Sequence, residues 1–324
     1  MPTPRRATHL LLSLALALPL VPLQAQASDP AARLLVGYVP GGTVDTVARV
    51  MADGMRDSGY QVIVENRPGA FGAIAVDGLR KANPDGTTLL LTPTGNLTLA
   101  PHVIPSIRYD PLEDFAGVGT AVRMSFALAV GADSPAKTLP EFLELARQNP
   151  DMAAYGTPGA GTAMHFIGEL LAQQSGVPLT HVPYRGGSAA VTDAIGGTLP
   201  ALITTMPNLL PMHRSGRLRI LAIATDAPSA ALPGVPTFEE LGFKDLVVTE
   251  TLAIFAPKNT PPDTIDKMHQ AIDKATLLPK VEKALQEAEY EVYSITPAEL
   301  DRQIREGYAT WQNIVEQTGY KPEG

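Results

Sequence analysis

The chain has 324 residues, a formal net charge of −8, 45% hydrophobic and 18% charged residues, and no cysteine. That length allows two domains with full cores, and the balance is that of a globular chain rather than a disordered one. The missing thiols exclude disulfides, thiolate nucleophiles and thiolate metal sites, and an acidic chain without a basic stripe is not a nucleic-acid binder.

Arg5 and Arg6 precede an apolar block from His9 to Val21, and Ala25-Gln26-Ala27 has the small residues of a leader cleavage site. The pattern predicts an export signal over residues 1–27, cleaved near Ala27 and too short for a membrane span. Arg5-Arg6 is only a weak twin-arginine match, so the general export route is expected. No later run reaches the ~18 apolar residues of a spanning helix. The mature protein is therefore expected in the periplasm.

Leu34 to Tyr38 reads as a short apolar strand that turns through Pro40-Gly41-Gly42 into a helix. Val44, Val47, Ala48, Met51 and Met55 fall on one face of that helix, at the 3.6-residue period. Gln61 to Glu65 reads as a buried strand, Phe71 to Lys81 as a helix and Thr88 to Leu91 as a third strand. This β-α-β-α-β order predicts a parallel sheet covered by helices. Residues 100–124 read as irregular, and Phe126 to Val130 as a strand leaving the first lobe.

Thr138-Leu139-Pro140-Glu141 is a capping box opening a helix to about Gln148, the Thr and Glu satisfying each other's backbone donors. Met152–Gly156, Leu179–Pro183, Ala201–Thr204 and Leu218–Ala224 read as strands. Ala163–Gln174, a Ser188-capped Ala189–Ile195 and Leu209–Ser215 read as the helices between them. Val247 to Ala256 reads as the returning strand, followed by helices from Thr260-Pro261-Pro262-Asp263, over residues 279–288, and from Thr296-Pro297-Ala298-Glu299. Two chain crossings without a low-complexity tether predict a hinge between two lobes. Residues 28–127 with 253–324 would form lobe 1, and 128–252 lobe 2.

Five glycine-rich turns follow predicted strands: Gly41-Gly42, Pro68 to Gly72, Thr94-Gly95, Gly159-Ala160-Gly161 and Arg185-Gly186-Gly187. Any α/β protein uses glycine where strands turn into helices. As a set, however, they belong at the carboxyl ends of the strands, where open α/β sheets bind ligands. Helix N-termini there offer unpaired N–H groups to an anion. Thr43, Thr94, Thr157, Thr162 and Ser188 add hydroxyls, and Arg185 is the only cation inside these loops. GxxxxGK[ST] is absent, and Gly159-Ala160-Gly161 lacks the third glycine of a dinucleotide fingerprint. Backbone donors with few cations suit a carboxylate better than a phosphate. Asp45 could accept from its own loop or from a ligand donor. His165 could reach a ligand or hydrogen-bond near the Thr162 cap, while His181 alternates with apolar residues and reads as structural. No G-x-S-x-G elbow and no metal-ligand spacing of histidines occurs, so neither catalysis nor a metal or other cofactor is expected. A secreted α/β hydrolase or isomerase is the competing reading, and turnover of a candidate acid would support it.

The stretches VGYVPGGTVDTVAR (36–49), VENRPGAFGAIAVDGLRKANPDGTTLLLTPTG (64–95), YGTPGAGTAMHFIGELL (155–171), THVPYRGGSAAVTDAIGG (180–197), LPGVPTFEELGF (232–243) and FAPKNTPP (255–262) run in one order along the mature chain. In these the sequence resembles the solute-binding receptors of tripartite tricarboxylate transporters, the Bug family. The resemblance implies an α/β, two-lobed type II periplasmic binding fold with a carboxylate cleft between lobes. It implies a transporter or a sensor as partner, and the chain is expected to be a monomer. Carried onto this sequence, the cleft would use Tyr38, Gly41, Gly42, Thr43, Asp45, Phe71, Thr94, Gly95, Thr157, Gly159, Ala160, Gly161, Thr162, His165, Arg185, Gly186, Gly187, Ser188, Thr204 and Thr205. Three positions depart from the usual pattern. Gly37-Tyr38-Val39-Pro40 replaces a P-F-P-A type loop, Thr204-Thr205-Met206 replaces more polar residues, and Thr251 beside Glu250 replaces an aromatic. Without an acid at position 204, the expected ligand is a carboxylate lacking an α-amine.

Overall fold

The computed structural model describes residues 31–321 apart from positions 245 and 289, so the expected export signal lies outside the described residues. β1 (Ala32–Val36) pairs in parallel with β2 (Val62–Asn66) on one side and β3 (Thr88–Pro93) on the other. The chain returns through α1 (Thr43–Asp57) and α2 (Ala73–Arg80). α1 buries Val44, Val47, Ala48, Met51 and Met55, as its periodicity predicts. The second helix begins later than expected. Residues 70–72 form a single 3-10 turn in which Ala70 and Phe71 have φ of 47° and 52°, outside the helical region of an L-residue.

Two short helices follow, α3 (Gly95–Thr98) and α4 (Ala100–Val103). The region expected to be irregular then becomes β4, a strand of 17 residues from Phe115 to Gly131. Its period-2 signal is broken by register shifts at 117–119 and 120–122, which is why alternation failed to reveal it. Gly117 and Gly119 sit where a Cβ would meet Leu300 and His269, so glycine there lets helices approach the strand closely.

The second block repeats the first with α5 (Leu139–Gln148), β5 (Ala154–Thr157), α6 (Ala163–Ser175), β6 (Thr180–Pro183), α7 (Gly187–Ile195), β7 (Ala201–Thr205), α8 (Met206–Arg214) and β8 (Leu218–Ile223). The Thr138–Glu141 capping box is complete in both directions. Ser188 does not cap α7. That helix starts two residues earlier, at Gly187, with Gly186 at the cap and no side-chain bond. β9 (Thr249–Pro257) returns between β3 and β4, antiparallel to both. α9 (Pro262–Thr276), α10 (Pro279–Glu287), the short β10 (Glu291–Val292) and α11 (Pro297–Thr318) complete the chain.

The strands form one curled path, β2-β1-β3-β9-β4-β7-β5-β6, with β8 and β10 also on β4. β4 holds it together. Its residues 115–125 pair with β9, and its residues 126–131 pair with β7 and β8. Around β1, β3 and β9 one face buries Leu34, Met51 and Ile272, and the other Leu35, Leu79 and Leu300. Around β5 and β7 one face buries Tyr155, Phe166 and Ile203, and the other Leu199, Leu202 and Leu209. Each half thus has helices on both faces, the layering of α/β folds. α11 joins them: Leu300 and Ile304 pack on the first half, Trp311 and Ile314 on the second. Among the described residues no helix is long and apolar enough to cross a membrane.

Candidate functional site

The loop after β1 is held from behind by Asp45. Its Oδ2 accepts from the Gly41 N–H at 2.8 Å and from Arg49 Nε at 2.9 Å, and its Oδ1 from Arg49 and from Asn66 Nδ2. Burial alone would raise this carboxyl. The bonds from Arg49, Gly41 and Asn66 overcome that and hold it at about 2, because they stabilise only the charged form. Asn66 also donates to the Tyr38 carbonyl at 3.1 Å. Of its two expected roles, Asp45 therefore fills the internal one and shapes the loop. The Thr43 side chain is engaged by Tyr290.

The loop's own glycine amides are engaged, Gly41 N–H by Asp45 and Gly42 N–H by the Val39 carbonyl at 3.3 Å. α1 begins after Gly42 with no side-chain cap, so the first-turn N–H groups of Thr43 and Val44, at the positive end of the helix dipole, are not taken up by a capping side chain. Tyr38 packs under the neighbouring turn. Its hydroxyl lies 3.1 Å from Asn96 Oδ1 and 3.3 Å from the Phe71 carbonyl, and Asn96 in turn donates to Thr92. Burial pushes the Tyr38 phenol upward despite the Asn96 bond, so it stays protonated and donates.

Phe71 is carried outward by four successive positive-φ residues, Gly69 to Gly72. Its side chain is 54% exposed. Two adjacent non-glycine residues in this region cost roughly 1–2 kcal/mol each, strain of the kind that gathers at functional loops. The Phe71 ring lies over Gly159, 3.3 Å from where a Cβ there would sit. This contact brings the loops of the two halves face to face.

In the second half, Thr157 and Thr162 both turn inward. Each hydroxyl donates to the Gly159 carbonyl, at 3.0 and 2.8 Å, and Thr162 caps α6. His165 also turns inward: it is 8% exposed, its Nδ1 accepts from the Gly161 N–H, and Nε2 faces Glu169 at 3.4 Å. Its ring stacks on His181 at 3.8 Å, and His181 Nε2 meets Thr157 Oγ1 at 2.7 Å. Burial and the neighbouring His165 push His181 down to about 4. These residues build the 157–162 loop from beneath, with Gly159 buried under Phe71 and Ala160 half-buried beside it. The Thr157 and Thr162 hydroxyls and His165 Nδ1 are thus engaged within the loop, and of the two roles open to His165 the hydrogen bond beside the Thr162 cap is the one formed.

The loop after β6 is tied to the same place by Tyr184 N–H to the Thr157 carbonyl and Gly186 N–H to the Pro158 carbonyl, at 2.9 and 3.1 Å. Tyr184 donates to Asp193, and burial with that bond pushes it up to about 12. α7 then begins without a side-chain cap, leaving the first-turn N–H groups of Gly187 and Ser188 open. Arg185 is exposed and has no ion-pair partner among the described residues. Gly187 backs onto Thr204 and Asn208, which a Cβ would strike at 2.5 and 2.6 Å. Thr204 and Thr205 accept from Asn208, a partner that no sequence pattern singled out.

Thr94 and Gly95 are the main displacement. Glu250, from β9, accepts from the Gly95 N–H at 2.6 Å and the Thr94 hydroxyl at 3.2 Å. The chain's own carboxylate thus fills the anion position that this loop offers. In the sequence Glu250 stands out only as the neighbour of Thr251, because nothing local shows that β9 lies beside the end of β3.

Comparison with known proteins agrees with this architecture. Residues 47–320 match the family model of the tripartite tricarboxylate transporter family receptor. Protein BugT of Bordetella pertussis is 33% identical over 291 residues, 89% of this chain and 89% of its own length. A solved R. palustris protein with adipate has 26% identity and a TM-score of 0.81 over 90% of this chain and 98% of that one. MatC of Rhodopseudomonas palustris with bound malate has 27% identity and a TM-score of 0.77 over 88% and 98%. The chain belongs to the tripartite tricarboxylate transporter receptor family, the periplasmic solute-binding receptors that include the Bug proteins, and it is a receptor rather than an enzyme.

Proposed function

We propose that this receptor captures a small organic carboxylate without an α-amine, a di- or tricarboxylate or an aromatic acid, and delivers it to a membrane transporter of the tripartite tricarboxylate type. The uncapped first turns of α1 and α7 beside the unpaired Arg185 carry this reading. Charge-assisted bonds from such donors contribute roughly 1.5–3 kcal/mol each. Tyr38 and Phe71 supply an aromatic wall between them. The adipate- and malate-bound relatives support the ligand class.

Lobe 1, residues 28–127 with 253–324, closes on lobe 2, residues 128–252, by bending where β4 passes from β9 to β7 and β8 and where β9 begins. The protein acts as a monomer in the periplasm after removal of residues 1–27. A thermal-shift screen of mono-, di- and tricarboxylates, aromatic acids and acidic amino acids tests the ligand class. A ligand at ~100 times its Kd adds about 2.7 kcal/mol, a clear rise in Tm. A flat response to every carboxylate would remove the main support for this function.

A further inference from the structure

We propose that the cavity between β9 and α11 is a second ligand site, for a small organic cation of the ammonium class, received by the carboxylate of Glu250. The cavity measures about 320 Å³, within reach of the small end of ligand pockets. Tyr38, Gly41, Gly42, the 157–162 loop and residues 185–188 are not among its lining residues. Of the residues expected in the carboxylate cleft it shares Thr94 and Gly95, both engaged by Glu250; it is distinct from the first turns of α1 and α7, and it goes beyond the carboxylate reading because it calls for the opposite charge.

The lining chemistry decides the sign. Glu250 and Glu306 are its acids and Arg123 its only basic residue. Arg123 is already committed. Its guanidinium pairs with Glu291 at 2.8 Å and lies 5.0 Å over the Tyr293 ring. Glu306, at the exposed rim, is 3.6 Å from Arg302, an outward pair that contributes little. Glu250 is different. Only its Oε1 is engaged, by the Gly95 N–H and the Thr94 hydroxyl, and its Oε2 has no partner among the described residues. No cation pairs with Glu250 among the described residues, and burial raises its carboxyl from the ordinary range. A part-buried carboxylate held in place by two donors but lacking a counter-charge is favourable for a positive group and repels a second carboxylate. Trp311, on the α11 side, adds an aromatic surface for the cation's alkyl part or its charge.

Trp311 is the only tryptophan in the chain, so its fluorescence reads this cavity directly. Butylammonium chloride is titrated into the mature protein, with sodium butyrate and potassium chloride at equal ionic strength as controls. The expected result is a saturable change with butylammonium and none with either control. Glu250→Gln should weaken binding about tenfold or more, and Glu306→Gln, at the rim, about twofold. Thr310→Lys, at an exposed lining position, should abolish the signal by supplying a tethered ammonium, and it keeps the test valid if Glu250→Gln fails to fold. A response linear in concentration, equal with butyrate, or unchanged in Thr310→Lys overturns the proposal. None of these outcomes depends on whether carboxylates raise Tm, so the two sites stand or fall separately.

Discussion

At the residue scale, the side chains that looked like ligand contacts mostly build the loops that present backbone. Asp45 is the clearest case. At 2% exposure it collects donors from Gly41, Arg49 and Asn66. Its folded pKa of about 2 lies below the ordinary 3.8, so its stabilisation is complete above 3.8 and is lost as pH falls towards 2. Asp45→Asn should cost about 2 kcal/mol at neutral pH, read as a lower urea midpoint, and should remove the wild-type loss in that acid window. An unchanged midpoint would mean that the loop is held by other contacts. His181 works in a different window. Its folded pKa of about 4 lies below 6.5, so the unfolded chain takes up a proton that the native state refuses. Its contribution is complete above 6.5 and falls away between 6.5 and 4. After allowance for partial exposure that loss is about 1–2 kcal/mol. Melting curves across this window should be flatter for His181→Gln than for wild type; parallel curves would exclude the stacked pair as the cause.

At the element scale, the helices that matter are those that begin bare. α6 and α11 start under a threonine that accepts from their first turn, whereas α1 and α7 start after glycine with no side-chain cap. A capped first turn has less to offer an anion. Gly42 has φ of −78°, which any residue adopts, and a Cβ there would only touch the Val39 carbonyl at 3.4 Å. Gly42→Val should therefore keep the fold, shield the α1 amides and lower carboxylate affinity about tenfold, near 1.4 kcal/mol. Calorimetric titration with the acid that raises Tm most checks this, and undiminished affinity would take the loop out of the site. The same scale explains what could be read from sequence. Periodicity and glycine turns gave α1, β1 and the loop positions, because those signals are local. They did not give β4 before Phe126, whose bulges erase alternation, or the start of α7, where Gly186 replaces the expected Ser188 cap. Nor did they give Glu250 on Gly95, a pairing across 155 residues.

At the scale of the whole molecule, the proposed closure would have to act through elements that belong to both halves. β4 changes partners between Ser125 and Phe126, and β9 begins at the same level. α11 packs on the first half through Leu300 and on the second through Trp311, and Phe71 meets Gly159 from the opposite loop. The repeated α/β pattern made both halves legible in the sequence, and the ordered motifs made the family legible. The straddling of α11 was not, since an amphipathic helix does not say which core receives each end. The central claim is that a carboxylate is held by bare helix starts, and amide NMR tests it most directly. On titration with the stabilising acid, the N–H signals of Thr43, Val44, Gly187 and Ser188 should move together and saturate at one Kd. Shifts that leave these four unchanged and gather at Gly95 and Thr251 would contradict the account.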